Sequence, residues 1–185
     1  METITIVTGL PRSGTSLMMQ IMENTSLPIL SDGLREKDIN NPEGYYELEA
    51  VKGIVKDNSF LKDANGKVIK IVTPLPLFLD KSLNYRVLFM RRDLEEILRS
   101  QEKMLGKDQS SEREKFKTIY ELHLKKTYSF LEANAIPYID VWYKELISNT
   151  EIELKRIIEF LQLSANWEDL AVAVHPELYR NKVEN

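Results

Sequence analysis

The sequence contains no cysteine, which excludes disulfides, thiolate metal sites and cysteine nucleophiles and agrees with a reducing cytoplasm. It also lacks an apolar run of the roughly 18 to 20 residues that cross a bilayer. The start of the chain shows neither the basic segment nor the cleavage site of a signal peptide. We therefore expect a cytoplasmic protein with no membrane partner.

Positive charge is not in excess, because 25 lysines and arginines face 29 aspartates and glutamates, for a net charge of −4. This balance argues against nucleic acid as the main partner, although a local basic pocket can bind a small polyanion. The 185 residues, 43% of them hydrophobic, are enough to bury a core. We expect a single domain over residues 1–185.

Apolar runs alternate with amphipathic segments along the chain, which is the pattern of an α/β protein. Strands are predicted at residues 3–8, 28–30, 68–72, 85–90 and 137–142, and a polar loop at 31–44. Helices are predicted at residues 14–24, 45–57, 93–105, 111–133, 150–162 and 166–173. The alternation predicts a three-layer α/β/α fold with a mainly parallel central sheet. Ligands of such sheets bind outside the carboxyl ends of the strands.

A glycine-rich loop, GLPRSGTS, follows the first predicted strand over residues 9–16. Its G-x-x-x-x-G spacing in a strand–loop–helix setting is typical of loops whose backbone N–H groups converge on phosphate oxygens. The motif of nucleotide hydrolases continues with lysine and then serine or threonine, whereas this loop continues with Thr15 and Ser16. The cation lies earlier, at Arg12, and the Ser13 hydroxyl is a further donor.

This loop resembles the 5′-phosphosulfate loop of the sulfotransferases, which reads PKSGT or PRSGT at this point. The resemblance implies a P-loop fold and, as cosubstrate, 3′-phosphoadenosine 5′-phosphosulfate (PAPS), bound without a metal ion. It also implies an acceptor hydroxyl on a small molecule or glycan. The implied contacts to the 5′ end of PAPS come from six consecutive residues: Pro11, Arg12, Ser13, Gly14, Thr15 and Ser16. The alternative is a turn that only connects a strand to a helix.

A second segment, YRVLFMRRDLEEILRSQEKM, resembles the 3′-phosphate signature of the same family. The resemblance implies that Arg92 and Ser100, eight residues apart, hold the 3′-phosphate. Arg92 would leave a strand end and Ser100 would lie about two turns into the next helix, so both can face one phosphate, with arginine giving a charge-assisted fork. The alternative for this segment is a charged, solvated helix face.

Two further segments resemble the family. In IPYIDVWYKELI, Tyr143 matches the tyrosine that contacts the adenine, although it can equally be a half-buried core aromatic. In VIKIVTPLP, Lys70 matches a lysine directed at the bridging oxygen, where a positive charge stabilises the departing phosphate. The alternative for Lys70 is a lysine at an exposed strand end.

Sulfuryl transfer to a hydroxyl gains from a general base near the acceptor. The cytosolic steroid and phenol enzymes carry a histidine just after the lysine that Lys70 matches, but residues 71–73 are Ile-Val-Thr. The histidines of this chain, His123 and His175, are predicted to be structural or solvated. Tyrosylprotein sulfotransferases instead use a carboxylate after the first helix, which makes Asp32 and Glu47 the candidates here.

Glu36 and Glu43 lie in the same acidic stretch as these two candidates. A carboxylate at Glu47 can also serve the dipole of the helix predicted to follow it.

Two other functions are compatible with this sequence. A P-loop kinase or other nucleoside-triphosphate enzyme would need a magnesium-holding acid, which Asp93 could supply, but Thr15 at the lysine position counts against it. A nucleotide-binding module without catalysis is the third possibility.

Overall fold

A parallel sheet forms the centre of the computed structural model, which describes residues 2–34, 44–107 and 110–175. Within these residues it has four strands: β1 (Ile4–Gly9), β2 (Val68–Lys70), β3 (Tyr85–Arg91) and β4 (Tyr138–Trp142). The strand order is β2-β1-β3-β4, and every pairing is parallel. All residues of β1 are buried, as expected for an apolar strand covered on both faces.

Helices surround this sheet in the described residues. They are α1 (Thr15–Glu23), α2 (Leu94–Leu105), α3 (Arg113–Ala133), α4 (Tyr143–Ser148), α5 (Thr150–Leu161) and α6 (Trp167–Ala171). Shorter 3-10 helices cover Glu49–Gly53, Ser59–Ala64, Leu75–Phe78 and Ser110–Glu112. Among the helices described, none combines the length and the apolar character needed to cross a membrane.

The alternation of side chains along each strand builds a separate core on each face of the sheet. On one face, Val7 of β1 and Val141 of β4 pack with α1, α4, α5 and α6. On the other face, Ile6 and Phe89 pack with α3 and the 3-10 helices that precede β2. A smaller apolar cluster joins Leu10 to α2 and α3. The predicted α/β fold with a parallel central sheet is therefore confirmed.

Most predicted elements lie within a few residues of the observed ones. The exceptions fall between α1 and β2. The strand predicted at 28–30 is reduced to one parallel bridge from Ile29 to Val68. Part of the predicted loop at 31–44, namely residues 35–43, lies outside the described residues.

The helix predicted at 45–57 is wrong, since only Glu49–Gly53 forms a single 3-10 stretch there. Tyr46 has a positive φ of 50°, and Leu48 is extended. The residues just before the 3-10 stretch therefore cannot be helical. Their backbone groups bond to distant partners instead: the Glu47 carbonyl accepts from the Asp32 amide at 3.1 Å. Tertiary hydrogen bonds thus override the helical spacing of the apolar residues, of which Val51 is still buried.

Candidate active site at the carboxyl edge of the sheet

The loop after β1 turns sharply into α1. Arg12 adopts a positive φ of 70°, and the Ser13 amide donates to the Leu10 carbonyl at 3.1 Å. Gly14, with φ 103°, precedes α1, and its carbonyl accepts from the Met18 amide at 3.1 Å. The first N–H groups of a helix have no partner within it and carry its positive dipole end. The loop therefore presents the start of a nine-residue helix at the carboxyl edge of the sheet.

Both glycines of this loop are required by close packing. A Cβ atom on Gly9 would lie 2.5 Å from the Met90 carbonyl oxygen of β3. A Cβ atom on Gly14 would lie 2.5 Å from Cδ2 of the Tyr143 ring. Real Cβ atoms do not approach other atoms so closely, and neither glycine has a φ that other residues readily adopt. The loop is thus seated directly against the ends of β3 and β4.

The hydroxyl-bearing residues of the loop differ in burial. Ser13 and Thr15 are buried, Ser16 is partly exposed and Pro11 is exposed. The Ser13 hydroxyl is buried and has no hydrogen-bond partner among the described residues. Buried polar groups are nearly always hydrogen-bonded, so an orphan hydroxyl at a phosphate-type loop fits a bound anion that supplies the acceptor.

Arg12 extends from the loop to α2. Its Nε donates to Ser100 Oγ at 3.1 Å, and Ser100 is only 3% exposed. Arg92, which follows β3, donates from Nη1 to the Arg12 carbonyl at 3.3 Å. The fold thus brings together Arg12, Arg92 and Ser100, which the family resemblance assigns to two different ends of one nucleotide.

Glu96 lies inside this basic cluster. Arg92 Nε donates to Glu96 Oε2 at 2.9 Å, and the two side chains are 9% and 6% exposed. Arg92 also stacks over the Tyr143 ring, with its guanidinium carbon 4.6 Å from the ring centroid. The segment is therefore not a solvated helix face, because Glu96 and Ser100 are both buried. These contacts hold the Arg92 guanidinium in a defined position.

Asp93 has a different role from its neighbours. It is the N-cap of α2, and its carboxylate accepts from the amides of Glu95 and Glu96 at 2.8 and 3.2 Å. An N-cap carboxylate satisfies amides that the helix leaves without partners. Asp93 is thus engaged in starting α2.

Tyr143 is the first residue of α4 and lies directly after β4. It is 7% exposed and packs in the core with α1 and α5. Burial raises the pKa of its phenol, although the charge of Arg92 acts against that shift. The hydroxyl is consequently protonated at neutral pH. One ring thus serves as a core aromatic and as a wall of the basic cluster.

Lys70 ends β2, on the other side of β1 from Arg92. Its side chain is buried, and its amine donates to the Tyr45 carbonyl and lies 3.8 Å from Glu47 Oε1. The Glu47 side chain is 30% exposed. The alternative of a lysine at an exposed strand end is therefore wrong, and the lysine is instead paired with one of the two candidate bases.

Asp32 makes local contacts that explain its position. Its carboxylate accepts from the backbone amides of Glu49 at 2.5 Å and Leu34 at 3.0 Å. The bond from Glu49 is the larger cause that holds the Asp32 pKa below its ordinary value, followed by the bond from Leu34. Asp32 thus organises the loop that carries Glu47, while Glu47 itself faces Lys70.

The remaining titratable candidates are more dispersed. Glu36 and Glu43 lie outside the described residues. His175 is exposed, whereas His123 is partly buried in α3, where burial lowers the pKa of its imidazole. His123 lies one turn before Thr127, whose hydroxyl contacts the Thr73 hydroxyl just beyond β2.

The fold is similar to that of solved sulfotransferases. The sulfotransferase domain of the curacin biosynthetic pathway superposes with a TM-score of 0.58 at 13% identity, over 95% of this chain and 78% of that one. Sulfotransferase STF9 from Mycobacterium avium gives 0.55 at 12% identity, over 93% and 67%. The sulfotransferase domain of the Synechococcus PCC 7002 olefin synthase gives 0.51 at 13% identity, over 97% and 80%.

No family profile matches the sequence, and no curated protein sequence matches it either. At identities this low, similarity extends to the backbone and not to side chains. The chain therefore has a sulfotransferase-like α/β fold, and its chemistry depends on its own side chains.

Sequence reasoning missed two parts of the site. The sequence predicts no role for Glu96 beyond a charge run, although its i,i+4 spacing from Arg92 near the start of a helix is a signal for pairing. The Tyr45 carbonyl that binds Lys70 gives no signal, because a backbone acceptor can come from any residue.

Proposed function

We propose that this chain is a sulfotransferase that moves a sulfuryl group from PAPS to a hydroxyl of a small molecule or glycan. The observation that carries the proposal is the cluster of Arg12, Arg92 and Ser100 beside the start of α1, in a loop without a phosphate-directed lysine. The Arg92 guanidinium and the buried Ser100 hydroxyl would bind one phosphate apart from the loop amides. A nucleotide with anionic groups at both the 3′ and 5′ positions of its ribose suits such a pair of sites.

The loop amides and the Ser13 hydroxyl would hold the 5′ end at the positive end of α1. Thr15 and Ser16 supply further donors at the same helix start. Tyr143 offers an aromatic wall next to Arg92. Arginine and lysine supply the positive charge opposite the anionic groups of the nucleotide. The proposed contacts therefore do not require a metal ion.

Lys70 and Glu47 would carry the transfer itself. PAPS supplies a sulfuryl group whose bond to the 5′-phosphate oxygen breaks as the acceptor oxygen forms its bond to sulfur. Glu47 would take the proton of the acceptor hydroxyl, and Lys70 would stabilise the negative charge left on the departing phosphate oxygen. The Lys70 amine lies 3.8 Å from Glu47 Oε1, which supports assigning both residues to the same site.

Calorimetry with adenosine 3′,5′-bisphosphate (PAP), the product nucleotide, tests the nucleotide site. We expect wild type to bind PAP without added magnesium and Arg92→Lys to bind it at least about tenfold more weakly, because lysine keeps a charge for Glu96 but loses the planar fork. Absence of PAP binding by wild type, or unchanged binding by Arg92→Lys, would overturn the assignment. Tighter binding of magnesium–ATP than of PAP would instead favour a kinase-type enzyme.

Transfer of radioactive sulfate from PAPS to a panel of hydroxyl acceptors tests the chemistry. We expect Glu47→Gln to lower kcat about 100-fold or more while PAP affinity is retained, because one oxygen changes and the proton acceptor is lost. Glu49→Gln is the matched control, since it makes the same chemical change at an exposed glutamate two residues away. If His123→Gln rather than Glu47→Gln lowers kcat, the base comes from α3. PAP binding without transfer to any acceptor would indicate a binding module.

A further inference from the structure

We propose that the Arg12 side chain binds the 3′-phosphate of the nucleotide and not its 5′ end, and so helps to select 3′-phosphorylated nucleotides. This inference rests on the proposed function, but it gives Arg12 a different role from the one that its place in the phosphate loop implies. The loop arginine would then serve specificity, while the rest of the loop serves the transferred group.

The Arg12 side chain is directed at α2. Arg12 has a positive φ of 70°, and its Nε donates to Ser100 Oγ on α2 at 3.1 Å. Its carbonyl is held by Nη1 of Arg92 at 3.3 Å. Both its backbone and its side chain are therefore tied to the part of the molecule that carries Arg92 and Ser100.

The Arg92 guanidinium lies next to Arg12 and is oriented by its ion pair with Glu96. A phosphate bound here would accept charge-assisted bonds from both guanidinium groups, whose planar geometry suits phosphate, and a further bond from the Ser100 hydroxyl.

The 5′ end of the nucleotide would have donors other than the Arg12 side chain. The orphan Ser13 hydroxyl and the amides at the start of α1 lie in the loop itself, whereas the Arg12 side chain leaves it. Different protein groups would therefore bind the 3′-phosphate and the 5′ end of the nucleotide. Removing the Arg12 side chain should then affect only nucleotides that carry a 3′-phosphate.

The test compares PAP with adenosine 5′-monophosphate (AMP), which lacks the 3′-phosphate, by NMR titration that reaches millimolar Kd. Arg12→Asn is the main variant because asparagine tolerates a positive φ. We expect PAP affinity to fall about 10- to 100-fold, the effect of losing a charge-assisted contact, and AMP affinity to change less than about threefold. Arg99→Asn, an exposed residue next to Ser100, is the charge-matched control and should change neither affinity.

Equal losses of PAP and AMP affinity in Arg12→Asn would overturn the inference while leaving the nucleotide site intact. Failure of wild type to bind PAP would overturn the proposed function itself. Should Arg12→Asn fail to fold, Arg12→Lys provides the same comparison with the charge retained. In the pair Arg12→Lys and Ser100→Ala, we expect losses in PAP affinity that are not additive, because both groups would bind one phosphate. Additive losses would place them at separate sites.

Discussion

Replacing Gly14 by alanine tests how tightly the phosphate loop is seated on the sheet. The new Cβ atom would lie 2.5 Å from Cδ2 and 3.1 Å from Cε2 of Tyr143, and 3.2 Å from Cε of Met90. The backbone at Gly14 has φ 103°, which side chains rarely adopt. The Tyr143 ring cannot easily retreat, because it is buried in the core with α1 and α5.

The expected loss of stability has two parts. A positive φ on a non-glycine residue costs about 1–2 kcal/mol. Forcing an extra carbon into a packed core costs a further 1–3 kcal/mol or so. We therefore expect Gly14→Ala to lower the free energy of unfolding by about 2–5 kcal/mol, measured by urea denaturation.

Substitutions at two other glycines measure the conformational and the steric contributions separately. Gly106 has φ 61° but no atom within 4 Å of the place where a Cβ atom would lie, so Gly106→Ala should cost only the conformational part, about 1 kcal/mol. Gly53 has neither a positive φ nor a close neighbour, so Gly53→Ala should be neutral or slightly stabilising. A loss for Gly14→Ala no larger than that for Gly106→Ala would refute the close packing of the loop on Tyr143.

Three further predictions concern other contacts. Glu96→Ala should lower the free energy of unfolding by about 3–5 kcal/mol, because the buried ion pair with Arg92 is broken; a urea-denaturation loss below about 1 kcal/mol would contradict the pairing. Thr127→Val should cost about 1–3 kcal/mol in the same assay, because the buried Thr73 hydroxyl loses its partner; an unchanged midpoint would argue against that contact. Amide hydrogen bonds hold the pKa of Asp32 below 3.8, so its carboxylate stabilises the fold above that pH and the gain is lost as pH falls through the lowered pKa. Asp32→Asn should therefore flatten the acid side of a stability–pH curve, and an unaltered curve would disprove the role.

The fold was predictable from sequence to the extent that each element carries its own pattern. The strands β1 and β3 are mostly apolar and rich in β-branched or aromatic residues, and α2 has an aspartate N-cap before it and a glycine after it. The segment at 45–57 was not predictable, because its conformation depends on Asp32 and Lys70, which are far from it in sequence. Helical spacing of apolar residues cannot indicate that distant residues will form hydrogen bonds with the backbone of this segment.

The sequence alone determined the chemical groups at the carboxyl edge of the sheet. A glycine loop without lysine, an arginine within it, and an arginine and a serine after the next central strand all follow from local motifs, since parallel strands end at one edge.

Only the tertiary structure decided how these groups combine. In the folded chain Arg12 donates a hydrogen bond to Ser100, and Glu96 forms an ion pair with Arg92. Lys70 pairs with Glu47 and not with Asp32. Such pairings depend on side-chain directions across separate elements, which distance along the chain does not encode.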